Sequence, residues 1–282
     1  MIEKRKGGES VKEKNRFRVW LIQLLKLAGI VLLCVALFFV NAFAGNPVSW
    51  LLAKGSAHRY VEQEYGHLDV QIDKVGYNLK DTNYYAKVSS PTSVDTHFTV
   101  YISMLGQVER DTYESVTDGF NTWDRLNDAY TEQVRAVLET LPFESDGGSG
   151  DFRGGRYSSL PGVESFGLPH EELEVDKDYD LYALGKEHGS ITYRVLDRDV
   201  SYERAAEILL CLRDEMENSG VAFRVVNLTL RQPRDENGTW SGPELMIFDF
   251  PRVDLYAEDL EEKLEVAYQI AVDHYGEETM LE

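Results

Sequence analysis

Disulfide chemistry is all but excluded from this chain. Its two cysteines, Cys34 and Cys211, fall in an apolar run and in a stretch of helical period, and no bond between them is expected. The short signatures that name a reaction are missing too. There is no Gly-x-Ser-x-Gly and no cysteine pair at zinc spacing, and no two of His58, His67, His97, His170, His188 and His274 stand i, i+4 on a helix. Basic charge is scarce: 29 Lys and Arg face 49 Asp and Glu, a net of −20. That excess repels polyanions, so nucleic acid is not an expected partner. No cofactor signature is found, and no cofactor is expected.

The chain does contain one long hydrophobic run. From Leu27 to Ala44 it carries no charge, and the apolar character extends back to Val19 with Lys26 as an interruption. Residues 20–44 are therefore expected to form a single transmembrane helix, with the lipid bilayer as their partner. Lys26 can stretch toward the headgroups and Trp20 can sit at the interface. Ahead of it, Lys4, Arg5, Lys6, Lys12, Lys14, Arg16, Arg18 and Lys26 outnumber Glu3, Glu9 and Glu13, a net of +5 that leaves −25 for the rest. By the positive-inside rule residues 1–19 form a cytoplasmic tail and the remainder lies outside the membrane. Ala42-Phe43-Ala44 before Gly45 also fits a signal-peptidase site, so secretion after cleavage at Ala44 is the alternative.

Beyond Gly45 the periods alternate. Asn46 and Pro47 are a helix cap and a first helical residue, opening a helix to about Tyr65. Leu68, Val70 and Ile72 alternate, and Val75, Tyr77 and Leu79 alternate on the opposite parity, which predicts a bulge near Lys74. Tyr84, Ala86 and Val88 mark a second strand, and Phe98, Val100 and Ile102 a third. Trp123, Leu126, Tyr130, Val134, Val137 and Leu141 then make one helical stripe. The reading is α+β (helix, antiparallel strands, helix) over residues 46–141. Residues 142–171 hold seven glycines without periodicity and read as a flexible linker. They lack the strand, the helix and the Gly-Lys-Ser/Thr of a phosphate loop. A second α+β domain, strand–helix–strand–strand–helix after a short helix near 179–187, is expected over 172–278.

Gly45-Asn46-Pro47, Tyr77-Asn78-Leu79-Lys80, Tyr84-Tyr85-Ala86-Lys87-Val88 and Asp95-Thr96-His97-Phe98 carry a family resemblance. So do Asp111-Thr112-Tyr113, Asn121-Thr122-Trp123 with Arg125-Leu126, and Asp199-Val200-Ser201-Tyr202-Glu203-Arg204-Ala205-Ala206. With these the chain resembles the YfjL-like family of membrane-anchored Gram-positive bacterial proteins, whose function is uncharacterised. The resemblance supports the layout and brings no activity, cofactor or site residue with it.

Three groups of residues are candidates for chemistry. Asp176, Asp178, Asp180 and Glu187 imitate the acidic positions of a calcium loop, but Leu181 stands where that loop needs glycine. These acids then read better as residues favoured at a helix N-terminus by its dipole. His97 beside Asp95 offers an acid–base pair, with a partly exposed strand position as its plainer explanation. Tyr60, Tyr65, Tyr77, Tyr84, Tyr85, Tyr101, Tyr113 and Tyr130 crowd the first domain, as suits a binding surface or an ordinary sheet–helix core. No catalytic, cofactor or metal residue is assigned. The expected function is non-catalytic binding of another envelope protein or peptide. An exported hydrolase with an acidic site and a calcium-responsive module are the alternatives.

Overall fold

The computed structural model describes residues 19–33, 35, 45–155, 166–240 and 242–276. Two compact units divide it. Unit 1 runs to Thr92 and resumes over His97–Tyr113; unit 2 comprises Ser93–Thr96 and everything from Glu114. Each unit is built on one four-stranded sheet.

Unit 1 is an antiparallel meander with a helix on one face. Helix α1 (Pro47–Tyr65) starts where Asn46 Oδ1 accepts the Val48 N–H at 2.8 Å, with proline at the first position. Strands β1 (Gln71–Asn78), β2 (Asn83–Ser89), β3 (His97–Ile102) and β4 (Val108–Asp111) pair in sequence order. A register shift between Ile72 and Lys74 produces the bulge that the parity switch predicts. Ala53, Ala57 and Val61, four apart on α1, are buried against Tyr84, Ala86, Val88, Phe98, Val100 and Ile102. Polar contacts fix the far end of the helix. Asp111 Oδ2 accepts from Tyr60 Oη at 2.5 Å and Tyr65 Oη at 2.8 Å, and its other oxygen accepts the Tyr113 N–H at 2.9 Å. Tyr65 also packs against Phe98 and Tyr113, each at 4.7 Å between ring centroids.

Unit 2 comprises a short helix α2 (Glu114–Thr117), helix α3 (Phe120–Leu138), strand β5 (Ser145–Asp151), helix α4 (Leu181–His188) and strand β6 (Ser190–Leu196). It continues with helix α5 (Tyr202–Asn218), strands β7 (Val225–Arg231) and β8 (Glu244–Pro251), and helix α6 (Leu260–Tyr275). The strand order is β5-β6-β7-β8; β6 and β7 are parallel, joined through α5, and the outer pairs are antiparallel. Ser201 Oγ caps α5 by accepting the Arg204 N–H at 3.1 Å. Ile191, Tyr193, Leu228, Leu230 and Ile247 share one core with Trp123, Leu126, Tyr130, Leu209, Leu212 and Leu264 of the helices.

Three expectations are corrected. The helical residues 19–33 extend about 22 Å at 1.5 Å per residue, against a hydrocarbon core of roughly 30 Å, and they include Lys26. No helix of the described residues is long and apolar enough to cross a membrane, so the transmembrane helix expected over 20–44 is not found. Residues 1–18 and 36–44, with the basic flank and Ala42-Phe43-Ala44, lie outside the described residues. Second, the stretch 142–171 is not a linker throughout, because residues 145–151 are a paired strand. Its glycines serve close approach: a Cβ on Gly148 would meet Leu138 Cδ1 at 2.5 Å, and one on Gly150 would meet Val134 Cγ2 at 2.5 Å. Residues 156–165 of that stretch also lie outside the described residues. Third, α3 belongs to unit 2 and not to a domain ending at residue 141. Thr131 Oγ1 donates to Gly150 O at 2.6 Å, Asn127 Oδ1 accepts the Phe152 N–H at 2.9 Å, and Tyr130 stacks on Phe152 at 4.4 Å.

Asp95 is the polar hub of unit 2. It is 1% exposed, and its carboxylate receives Arg125 through both oxygens at 2.7 and 3.0 Å, Thr122 Oγ1 at 2.8 Å and the Asp176 N–H at 2.9 Å. Asn121 Nδ2 donates to its carbonyl at 2.8 Å. Burial opposes ionisation, but the hydrogen bonds from Arg125, the Asp176 N–H and Thr122 outweigh it and hold the carboxyl below its ordinary value. Two predictions follow from these polar anchors. The Asp95 contribution is complete above the unfolded value of about 3.9 and is lost as pH falls through the lower folded value. Asp95→Ala should cost unit 2 about 2 kcal/mol in denaturant unfolding at neutral pH, because it leaves Thr122 Oγ1, the Asp176 N–H and Arg125 Nε without their acceptor while Arg125 keeps Lys177 O. A change below about 0.5 kcal/mol would show the hub to be dispensable.

The tyrosines act at the other end of the pH scale. Burial first, then the hydrogen bond to Asp111, pushes the Tyr60 phenol up to about 12, and Tyr65 is raised for the same reasons. Unfolded phenols ionise near 10, so unit 1 should lose stability as pH rises from there through about 12, where Tyr60 titrates in the fold. Alkaline melts of Tyr65→Phe should show a shallower decline with pH; an unchanged slope would rule Tyr65 out as its source.

Candidate functional site

Alternation along a strand sends every second side chain of the first sheet away from α1. On β2 and β3 these are Asn83, Tyr85, Lys87 and Ser89, then His97, Thr99 and Tyr101. The register sets them beside Gln71, Lys74, Gly76 and Asn78 of β1 and Arg110 of β4. Lys74, Lys87 and Arg110 are exposed, and Tyr85 and Tyr101 are half-buried. No carboxylate occupies a paired position on this face. Two acids border it: Glu109, the extra residue of the β3–β4 bulge, lies 3.5 Å from Asn83 Nδ2, and Asp73, the extra residue of the β1–β2 bulge, lies 3.5 Å from Gln71 Nε2.

One row crosses all four strands: Gly76, Tyr85, Tyr101, Arg110. A Cβ on Gly76 would lie 2.5 Å from both Cζ and Oη of Tyr85, so the phenol ring covers the glycine backbone. At the other end the Arg110 guanidinium sits 3.9 Å from the Tyr101 ring centroid, a cation–π contact of about 0.5–1 kcal/mol at an exposed site. The next row adds Lys74 and Lys87 beside Thr99. The result is a broad polar platform with two aromatic rings and three cations. Residues 45–92 and 97–113 hold six basic and seven acidic side chains, so the chain's net −20 is carried elsewhere.

The other tyrosines have structural work. Tyr84 lies in the unit 1 core with Tyr77 against it at 5.2 Å, and Tyr130 belongs to the unit 2 core. Tyr60, Tyr65 and Tyr113 surround Asp111 as described. Reading the eight as a group hides this division, which strand parity reveals: Tyr85 and Lys87 alternate with the buried Tyr84, Ala86 and Val88. Gly76, Lys74 and Arg110 were not legible as site residues, since their common row depends on register across β1 to β4.

The expected chemistry is placed differently. Asp95 is committed to Arg125, Thr122 and the Asp176 N–H, so its carboxylate is not the partner of His97, which is exposed on β3. Asp176 Oδ1 accepts the Asp95 N–H at 3.0 Å, and Asp180 Oδ1 caps α4 by accepting from Tyr182 N at 2.9 Å and Ala183 N at 3.3 Å. Glu187 lies in the last turn of that helix. Among the described residues no three His, Cys, Asp or Glu are grouped to hold a metal ion. Cys211 packs beside the unit 2 core, and burial pushes its thiol up, away from a reactive thiolate.

A family model described as YfjL-like, N-terminal domain matches residues 21–112, and one described as YfjL-like C-terminal domain matches residues 129–265. The chain belongs to the YfjL-like family. The YfjL-like N-terminal match ends beside the last residue of unit 1, Tyr113, and the C-terminal match begins inside α3. Both agree with α3 as a unit 2 element. The YfjL-like models assign no activity, and searches of the curated proteins and of the solved structures returned no match.

The Tyr85–Gly76 contact can be tested by NMR. The Gly76 α-protons should resonate upfield through the ring current of Tyr85, and the shift should vanish in Tyr85→Leu. Ordinary strand values in the parent protein would remove the platform as described.

Proposed function

We infer that this YfjL-like protein is a non-catalytic binding module whose open sheet face in unit 1 takes an acidic segment of another protein. The observation that carries the reading is the row in which Tyr85 covers Gly76 and Arg110 stacks on Tyr101, flanked by Lys74 and Lys87. Tyrosine and arginine are enriched where proteins meet, because each offers large contact area together with hydrogen-bonding groups. A glycine under an aromatic ring keeps the face low, so a partner chain can lie across it. Three cations without a paired carboxylate favour acidic side chains.

A nucleic acid fits less well, although rings and cations together can stack and hold bases. The chain as a whole carries a net −20, which repels an extended polyanion. A short acidic segment would meet mainly the local cations, since charges beyond about 8 Å are screened at physiological ionic strength.

Panning peptide libraries against the full chain tests the partner's chemistry. Acidic sequences should be enriched, their affinity should fall with added salt, and Lys87→Glu combined with Arg110→Glu should abolish their capture without lowering the melting temperature. Enrichment of basic or neutral peptides, or capture that survives both charge reversals, would refute the assignment.

A further inference from the structure

Exposed apolar side chains in unit 1 are segregated. Across residues 45–92 and 97–113 the large hydrophobics that stand exposed are Val48, Trp50, Leu51, Leu52, Leu79 and Leu105. Scattered single exposures need no explanation. These six share one end of the unit. The β1–β2 turn, with Leu79, and the β3–β4 turn, with Leu105, lie at the same end because the strands form an antiparallel meander. Helix α1 begins there as well. Tyr84 Oη donates to Asn46 O at 2.9 Å, Trp50 Nε1 donates to Val75 O at 3.3 Å, and a Cβ on Gly106 would lie 3.1 Å from Leu52 Cβ.

The exposures are large: 80% for Leu105, 64% for Val48 and 63% for Leu51. Charged residues of both signs stand at this end, and two of them are lysines. Lys54 Nζ lies 5.3 Å from the Trp50 ring centroid, and Lys80 is exposed in the β1–β2 turn. The two acids here are partnered by amides: Asp81 accepts from Asn78 Nδ2 at 2.7 Å and Glu109 from Asn83 Nδ2 at 3.5 Å. Leucine and valine at the tip, tryptophan beside them and lysine around them are the composition of a surface that sits in the headgroup region of a bilayer.

We propose that this end of unit 1 docks on a lipid surface. Val48, Leu51, Leu79 and Leu105 enter the boundary between headgroups and acyl chains, Trp50 lies at headgroup level, and Lys54 and Lys80 face anionic headgroups. Continuity with the preceding chain favours lipid over a second protein. The chain enters unit 1 at this end, at Gly45, following helical residues whose Leu25, Leu27 and Leu32 are 62%, 61% and 71% exposed. Shape favours it too, because the apolar groups project from two turns and a helix start and do not line a groove. The contact is peripheral and needs no spanning helix. It uses residues other than the open sheet face, so it stands or falls independently of peptide binding there.

The test uses the full chain with Cys34 and Cys211 replaced by Ala and one new cysteine, at Leu105, Leu79 or Lys87, carrying an environment-sensitive fluorophore. Vesicles of phosphatidylcholine and phosphatidylglycerol are the probe. On vesicles that float with the protein, the labels at 105 and 79 should shift to the blue and be quenched by brominated acyl chains, and the label at 87 should do neither. Leu51→Glu should suppress the shift at 105, and Lys80→Glu should reduce it only on vesicles containing phosphatidylglycerol. Water-like emission at 105 and 79, or failure of the chain to float, would overturn the proposal. So would a blue shift without vesicles that grows with protein concentration, since that outcome identifies a second copy as the occupant.

Discussion

One helix can cover only one face of a four-stranded sheet, and the rest of unit 1 follows from which face that is. Ala53, Ala57 and Val61 settle it by burying against Tyr84, Ala86, Val88, Phe98, Val100 and Ile102. The period of two then sends Tyr85, Lys87, Thr99 and Tyr101 to the opposite side. A slip of one residue would exchange the two sets, placing Lys87 in the core and Val88 in water. The bulge between Ile72 and Lys74 matters for the same reason: it lets Ile72 and Val75 both face the helix side of β1 while Lys74 and Gly76 face away. Register is thus a condition of the platform, because Gly76 must lie opposite Tyr85 for the ring to have a flat seat.

Local patterns in the sequence were sufficient for most elements. Helix α1 starts at the Asn46 cap and runs to Tyr65 as the spacing predicts, and the Ser201 cap opens α5. The misplaced features depend on contacts distant in sequence. Strand β5 has the composition of a loop, since glycine at 147, 148 and 150 leaves no alternation to detect. Its pairing comes from β6 and the close packing of α3, neither of which a local window contains. The stripe on α3 shows that the helix has an apolar face and does not show which sheet buries it. Asp95 invites pairing with His97 because they are two residues apart, whereas the carboxylate is claimed by Arg125, thirty residues on. In the apolar run the composition of 20–44 suggests a span, but the helix of the described residues is too short to provide one.

Two carboxylates, Asp95 and Asp111, are held ionised by their surroundings. A carboxyl that acts as a general acid near neutral pH must hold its proton there, which requires burial or like charge without compensating donors. Asp95 and Asp111 are arranged the other way. Asp95 is buried and Asp111 half-buried, yet each receives several hydrogen bonds to its charged form, and in both the ionised state is favoured. Such groups serve as fixed acceptors around which chain segments are ordered. Asp111 joins β4 to α1, and Asp95 joins the segment 93–96 to α3 and to Asp176.

Net charge is a poor guide to what each part of this chain meets. A total of −20 suggests a surface hostile to acids everywhere, but residues 45–92 and 97–113, near balance in charge, contribute almost none of it. At physiological ionic strength a charge is felt over about 8 Å, so a ligand on the open face senses mainly Lys74, Lys87 and Arg110 with the bordering Asp73 and Glu109. The same locality applies at the apolar tip, where Lys54 lies beside Trp50 and Lys80 is exposed in the β1–β2 turn. One small sheet therefore offers two chemically distinct surfaces. Its strand faces present rings and cations, and its turns present bare leucines, because pleating and turn geometry expose different residues. Attraction between fixed charges weakens with salt and burial of leucine does not, so ionic strength should separate the two surfaces experimentally.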